Sequence, residues 1–228
     1  MKVAAIVPAY NEERRIGNVL DVLKHSAAIN EIIVVSDGSI DRTYEVASEC
    51  EGVRAIKLDK NAGKGGAMLA GVQATDADIV VFFDADLIGL TPAQVGALVE
   101  PVVKYDAGMS IGIFRQGRRS TDWAQKIAPY ISGQRCLHRE ELLSITGLGE
   151  ARFGAEIAIG RHARSKGLKA VHVPFLGVTH PMKEEKLGFF PGAVARAKMY
   201  WEIIKLLVVT SPAKLKKKAE IVRDTSAR

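Results

Sequence analysis

Two aspartates, Asp84 and Asp86, stand two residues apart directly after the apolar run Ile79–Phe83. In an extended chain, residues i and i+2 point to the same side, so the two carboxylates converge. They repel each other unless a cation lies between them. Mg²⁺ or Mn²⁺ binds few carboxylates and fills its other positions with water and phosphate oxygens. Taken alone, such a pair is most often a solvated acidic turn. Alternatively, it could hold such a metal, which would stabilise a nucleoside diphosphate as a leaving group.

Two further polar motifs follow other apolar runs. Asp37, in Ser36-Asp37-Gly38, could hydrogen-bond a base or ribose, or could belong to a turn that caps the next helix. Lys64, in Gly63-Lys64-Gly65-Gly66, combines a cation with unhindered N–H groups near a helix N-terminus, which suits an anion. A glycine turn with a solvated lysine is the alternative. The segment matches neither a Walker motif nor a dinucleotide-binding fingerprint.

The elements that must position these residues alternate along the first half of the chain. The apolar runs are nearly continuous, which is typical of strands buried on both faces of a parallel sheet. Alternating strands and helices predict right-handed βαβ units, in which ligands bind beyond the carboxyl ends of the strands. The predicted strands are Val3–Val7, Glu31–Val35, Val53–Leu58 and Ile79–Phe83, and the predicted helices are Glu13–Lys24, Asp41–Glu51 and Gly65–Gln73.

The second half of the chain is less regular. We predict strands at Met109–Phe114 and Leu168–Val173, and a loop at Thr146–Gly154 that is rich in glycine. Thr91 is the expected N-cap of a helix whose first position is a proline. The predicted helices are Pro92–Val103, Trp123–Ile131, Glu140–Ser144, Glu156–Ser165 and the long amphipathic Phe189–Val209.

Four motifs in order carry a resemblance to a known family. They are Pro8-Ala9-Tyr10-Asn11-Glu12-Glu13, Ser36-Asp37-Gly38-Ser39, Asn61-Ala62-Gly63-Lys64-Gly65-Gly66 and Phe83-Asp84-Ala85-Asp86. Together the chain resembles the family 2 glycosyltransferases, strongly in its first half and loosely in its second. The resemblance implies an α/β fold of the GT-A (Rossmann-like) type, with a mostly parallel sheet flanked by helices. It implies a domain over residues 1–185, divided into a nucleotide-binding half (1–90) and an acceptor half (91–185), and then an amphipathic helix and basic tail (186–228).

The resemblance also implies a role for each matching residue. The expected metal ligands of Mg²⁺ or Mn²⁺ are Asp86, Asp84 and His180, and Asp86 is counted with the catalytic residues. Glu156 would accept the proton of the attacking hydroxyl. The expected nucleotide-sugar contacts are Pro8, Ala9, Tyr10, Glu12, Asp37, Lys64, Asp84 and Ala85.

Each of these roles has a structural alternative. The first motif could be an ordinary strand exit with an acidic first helical turn, and Glu156 a glutamate favoured by a helix dipole. His180 could be structural. Arg135 could meet an acceptor phosphate in a bidentate manner, but a solvated arginine is favoured. Ser36 stands where the family usually has an aspartate, which leaves that position without a predicted role.

The implied reaction transfers a hexosyl group from a UDP- or GDP-sugar to a hydroxyl or phosphate acceptor, which could be lipid-linked. One alternative is an enzyme like glucosyl-3-phosphoglycerate synthase, with a small phosphorylated acceptor. A second alternative is a non-catalytic nucleotide-sugar-binding protein, but such a protein need not keep two mutually repelling carboxylates. A nucleotidyltransferase would carry a glycine-rich first loop, which the Pro8–Glu13 motif lacks.

Composition and net charge limit the classes of partner and the cellular location that we expect. The net charge is +6, of which the segment 212–228 carries +4, so the remainder is close to neutral and nucleic acid is not an expected partner. We expect no signal peptide or membrane-spanning helix, and with two cysteines no disulfide framework, which indicates the cytoplasm. The apolar face of Phe189–Val209, followed by lysines, predicts peripheral contact with the inner face of the membrane, or else packing on the domain. The sequence is also compatible with a homodimer.

Overall fold

A computed structural model describes residues 1–115, 132–151 and 154–181, which are built around one mixed sheet. Its strands are β1 (Val3–Ala9), β2 (Glu31–Asp37), β3 (Val53–Leu58), β4 (Ile79–Phe82), β5 (Met109–Arg115), β6 (Arg135–His138) and β7 (Ala170–Leu176). They lie in the order β3-β2-β1-β4-β6-β5-β7. The short β6 runs antiparallel to both β4 and β5, and the other pairs are parallel.

Helices follow the strands much as the periodicity predicts. They are α1 (Ile16–Lys24), α2 (Thr43–Ser48), α3 (Lys64–Gln73), α4 (Pro92–Lys104), α5 (Arg139–Leu143) and α6 (Ala155–Ser165). Thr91 caps α4 in a capping box with Gln94, and Pro92 occupies the first helical position, as predicted. The helices predicted at Trp123–Ile131 and Phe189–Val209 lie outside the described residues.

The core consists of one apolar layer on each face of the sheet. Helices α1 and α4 cover one face, where Leu20 and Leu98 pack with the strands. Helices α3 and α6 cover the other face through Met68 and Ile159. Gly71 lets α3 approach β1 closely, because a Cβ there would overlap the side chain of Ile6. This close packing sets the position of Lys64 at the start of α3.

Burial on both faces holds for β1, β2 and β4, but the prediction was wrong for β3. The residues of β3 are exposed or half-buried, because this strand forms one edge of the sheet and helices cover it incompletely. Strand β6 has no counterpart among the predicted strands. This four-residue segment, Arg-Cys-Leu-His, has neither an apolar run nor a clear alternation, and only its pairing with β4 and β5 makes it a strand.

Residues 1–180 form one compact unit. The boundary predicted at residue 185 stays a prediction, since the chain beyond Pro181 lies outside the described residues. Within the described ranges, no helix is long and apolar enough to cross a membrane.

Candidate active site

The predicted acidic pair lies at the carboxyl end of β4, in the middle of the sheet. Strand β4 pairs with β1 on one side and with β6 on the other, so Asp84 and Asp86 lie among groups from both halves of the sheet. Their side chains are 19% and 17% exposed, so both remain partly accessible to a ligand. Ala85 between them is buried.

Lys64 joins Asp84 to Glu156. Its Nζ lies 2.6 Å from Oδ1 of Asp84 and 2.6 Å from Oε1 of Glu156. The lysine opens α3 and the glutamate lies in the first turn of α6, so the contact connects the two helices that cover the same face of the sheet. The predicted anion site is thus already flanked by two carboxylates of the protein.

The charges in this cluster support one another. Burial lowers the pKa of Lys64, but the charges of Asp84 and Glu156 outweigh it and hold the pKa well above its usual range. Burial raises the pKa of Asp84, and the opposing charges of Lys64 and His180 bring it below its ordinary value. Lys64 therefore stays protonated and Asp84 stays ionised near neutral pH.

His180 contacts both aspartates. Its Nδ1 lies 2.9 Å from Oδ1 of Asp86, and its Nε2 lies 3.6 Å from Oδ2 of Asp84. The Phe114 ring packs edge-on against the imidazole, with 5.0 Å between ring centroids. Burial lowers the pKa of His180, but the hydrogen bond to Asp86 and the two carboxylate charges raise it above its ordinary value.

These three side chains match the chemistry of a divalent metal site. Two carboxylates and one imidazole suit Mn²⁺, and carboxylates suit Mg²⁺. Within the described residues, however, no group of three or more acidic, histidine or cysteine side chains is placed so that it could hold a metal ion. Nδ1 of His180 is instead in direct hydrogen-bond contact with Oδ1 of Asp86. A bound ion would take the place of that hydrogen bond.

The segment before β6 adds residues that the sequence analysis did not single out as functional. Gln134 is fully buried, and its Nε2 donates to Oδ2 of Asp84 at 2.7 Å. Gly133 lies against the same carboxylate, since a Cβ there would stand 2.6 Å from both oxygens of Asp84 and from Nζ of Lys64. The local sequence, Ser-Gly-Gln-Arg, has no pattern that places it beside Asp84. These residues could therefore not be identified from the sequence.

The sequence-based interpretation of Arg135 was wrong. A solvated arginine or an acceptor-phosphate contact requires an accessible guanidinium, but Arg135 is 1% exposed, and its Nε donates to the carbonyl of Ser132 at 2.9 Å. Burial lowers its pKa to about 10, against the opposing effect of the Glu156 charge. Arg135 is therefore a buried cation that interacts electrostatically with Glu156.

The first motif lies at the end of β1, where two loops meet. The backbone N–H of Glu12 donates to Oγ1 of Thr43 at 2.7 Å, and that of Glu13 donates to Asp41 at 3.1 Å. Asn11 has a φ of 57° and accepts from the N–H of Ile40 at 2.9 Å. Pro8 and Ala9 end the strand, and Tyr10 is 49% exposed at the rim. Hydrogen bonds between the β1–α1 and β2–α2 loops thus hold this motif in place.

Asp37 has a clear structural role. Its side chain is buried at the end of β2, where Oδ1 accepts from the N–H of Ala62 at 2.6 Å and Oδ2 from that of Gly63 at 2.9 Å. The carboxylate therefore holds the loop that leads into α3. Contact between Asp37 and a nucleotide stays a prediction.

The structure thus brings five of the predicted residues into one connected cluster: Lys64, Asp84, Asp86, Glu156 and His180. The sheet order, with β6 inserted between β4 and β5, and the acidic cluster at the carboxyl edge define an α/β fold of the GT-A class.

Comparison with known proteins identifies the family. Residues 4–161 match the family model for glycosyl transferase family 2, so the chain belongs to this family. A UDP-N-acetylglucosamine–dolichyl-phosphate N-acetylglucosaminyltransferase of Methanococcus voltae is 37% identical over 117 residues, which cover 43% of this chain and 46% of that protein. The chain spans less than half the length of the curated relatives it matches first.

A solved structure supports the same assignment. The glucosyl-3-phosphoglycerate synthase of Mycobacterium tuberculosis, in complex with Mn²⁺, UDP and glucosyl-3-phosphoglycerate, matches with a TM-score of 0.68 and 27% identity. The match covers 79% of this chain and 72% of that one. The same enzyme is also known in complex with Mg²⁺ and UDP. The predicted GT-A fold and the family resemblance are therefore confirmed.

Proposed function

We propose that the protein transfers a hexosyl group from a UDP- or GDP-sugar to a phosphate or hydroxyl acceptor, with Mg²⁺ or Mn²⁺. The observation that carries this proposal is the cluster at the end of β4, where Asp84 and Asp86 meet Lys64 and His180. Asp84, Asp86 and His180 would hold the metal. When bound, the metal would offset the charge of the nucleoside diphosphate leaving group.

Other residues of the chain would bind the nucleotide, contact its diphosphate and accept the acceptor proton. Tyr10 and the neighbouring loop edge would receive the nucleotide, since they lie at the carboxyl ends of β1 and β2. Lys64 would approach the diphosphate as a protonated amine held in place by two carboxylates. Glu156, whose side chain is 10% exposed, is the candidate base for the acceptor proton.

Two acceptor classes have support from the comparisons. Several relatives are named as transferases to dolichyl or undecaprenyl phosphate, which favours a lipid-linked phosphate. The structural match to glucosyl-3-phosphoglycerate synthase covers a larger share of both chains and favours a small phosphorylated acceptor as the second candidate. Incubation of the full chain with a donor and with either polyprenyl phosphate or 3-phosphoglycerate separates the two, and the anomeric form of the product gives the stereochemical outcome.

Donor binding tests the proposal directly. We expect UDP or GDP to bind weakly in EDTA and clearly more tightly with Mn²⁺, as measured by titration calorimetry and by the shift in melting temperature. Asp86→Ala should abolish the enhancement by Mn²⁺. Asp21→Ala, which removes an exposed aspartate on α1, is the matched control and should keep the enhancement. Equal affinity in EDTA and in Mn²⁺ for the unmodified protein would show that the metal part of the proposal is wrong.

A further inference from the structure

Gln134 is a buried amide to which the proposed mechanism assigns no role. It directly precedes β6, and its Nε2 donates to Oδ2 of Asp84 at 2.7 Å. On the other side of the carboxylate, Nζ of Lys64 lies 2.6 Å from Oδ1. Each oxygen of Asp84 therefore has its own donor, and the plane of the carboxylate is set by groups from two different parts of the fold.

The Gln134 side chain is itself held in place. Oγ of Ser132 lies 3.1 Å from Oε1 of Gln134 and 2.5 Å from the carbonyl oxygen of Gly112. The N–H of Gly112 in turn donates to the main-chain oxygen of Gln134 at 2.9 Å. A Cβ at Gly112 would stand 3.1 Å from Cβ of Gln134, so the strand and the glutamine pack closely. A side chain locked by such contacts can orient its neighbour without losing further freedom when a ligand binds.

An uncharged donor suits this position. The cluster contains three carboxylates, on Asp84, Asp86 and Glu156, and Lys64 already contacts two of them. A second amine at position 134 would cancel the negative charge that attracts a divalent cation, and a carboxylate there would repel Asp84. An amide fixes the orientation of Asp84 and leaves the net charge of the cluster unchanged.

We propose that Gln134 is a positioning residue that orients the Asp84 carboxylate for the metal–nucleotide complex. The inference rests on the proposed function, because it assigns to Gln134 an effect on donor binding that acts through Asp84. It predicts that the contribution of Gln134 disappears when Asp84 no longer carries its charge.

A double-mutant cycle tests this coupling. Gln134→Met keeps the length of the side chain and removes the donor. We expect the affinity for UDP with Mn²⁺ to fall about tenfold or more, which is the size of a hydrogen bond to a charged group. The KM of the donor should rise in parallel, with kcat little changed, and UDP binding in EDTA should stay near its original value. In the Asp84→Asn background, the same substitution should change the affinity less than about threefold.

A pair of buried serines provides matched variants. Ser132→Ala removes the hydroxyl that contacts Gln134, whereas Ser110→Ala removes a buried hydroxyl that donates to the carbonyl of Leu98. We expect Ser132→Ala to weaken Mn²⁺-dependent UDP binding and Ser110→Ala to leave it unchanged. This pair also decides the matter if Gln134→Met does not fold, because equal affinities of the two serine variants would overturn the proposal.

The remaining outcomes are distinct. If Gln134→Met binds UDP with Mn²⁺ as tightly as the unmodified protein, Gln134 does not position Asp84. If its effect is as large in the Asp84→Asn background, Gln134 acts independently of Asp84 and the proposal is likewise wrong. If the unmodified protein binds neither UDP nor GDP with Mn²⁺, the proposed function itself fails, and the titration of the unmodified protein shows this independently of the variants.

Discussion

At the scale of single residues, the site is a set of charges arranged in alternation. Lys64 lies between Asp84 and Glu156, and His180 lies beside Asp84 and Asp86. Neighbouring charges of opposite sign offset part of the free-energy cost of burying each charged group. An isolated buried charge has no such compensation. Removal of one member should therefore affect its neighbours as well as its own function.

Glu156 is the residue whose role is most open to test. If it is the base, Glu156→Gln should lower kcat roughly a hundredfold, because general-base catalysis contributes at least this much. Donor affinity should change little. Steady-state kinetics with the acceptor at saturation measures both quantities. A rise in donor KM at unchanged kcat would instead assign Glu156 the task of holding Lys64, with which it forms an ion pair.

A side chain at Gly133 would disturb the site. Gly133→Ala places a Cβ within 2.6 Å of Asp84 and Lys64, so these side chains must move. We expect a loss of about 1–3 kcal/mol in the free energy of unfolding, together with weaker Mn²⁺-dependent UDP binding. Gly96→Ala in α4 is the matched control, since its Cβ would meet open space and alanine favours a helix. Denaturant titration compares the two, and equal stability of both variants would contradict the close packing of Gly133 against the site.

At the scale of elements, the end of β2 controls the start of α3. Asp37 accepts two backbone N–H groups from the loop that precedes Lys64. Gly38 has a φ of 65°, and a Cβ there would lie 2.5 Å from the backbone nitrogen of Asn61. The two loops are therefore closely packed, and the position of Lys64 depends on β2 as well as on its own helix.

This dependence predicts the effect of a substitution in β2. Asp37→Asn keeps the shape of the side chain but turns one acceptor into a donor, so one of the two backbone N–H groups loses its partner. We expect a loss of about 1–3 kcal/mol in the free energy of unfolding, measured by denaturant titration. Asp59→Asn, at an exposed position after β3, is the control and should leave stability unchanged. If Asp37→Asn keeps full stability but loses nucleotide affinity, the nucleotide contact predicted from the sequence outweighs the structural role.

At the scale of the whole molecule, the basic charge is concentrated at one end of the chain. The segment 212–228 carries +4 of the net +6, and it follows the predicted amphipathic helix. Both lie outside the described residues, so peripheral contact with a membrane stays a prediction from the sequence. The lipid-phosphate acceptors in the names of several relatives make such contact relevant.

Vesicle binding by the full chain tests this prediction. We expect co-sedimentation with anionic vesicles that falls steeply with salt, because each nearby lysine contributes about 1 kcal/mol at an anionic surface. Replacement of Lys214, Lys216, Lys217 and Lys218 by glutamine should abolish it. Replacement of Lys2, Lys24, Lys57 and Lys104, which lie in the folded unit, is the charge-matched control. No binding at low ionic strength would remove the membrane hypothesis and favour a small soluble acceptor.

The sequence by itself determined the order of strands and helices in the first half and the four motifs at the strand ends. These features are local: an apolar run indicates a strand, and the residue after it lies at the carboxyl edge whatever the rest of the sheet does. The local pattern is therefore enough to place Asp84, Asp86 and Lys64 at one edge of the sheet and to identify Thr91 as a helix cap.

Only the tertiary structure decided which distant residues share this edge. Strand β6 has no sequence signature, so neither its insertion beside β4 nor the contact of Gln134 with Asp84 could be inferred. For the same reason the local pattern favours a solvated Arg135, which is in fact buried, and an interior β3, which in fact forms an edge. The pairing of Lys64 with Glu156 joins positions far apart in the chain, and such contacts depend on how the layers pack rather than on any local pattern.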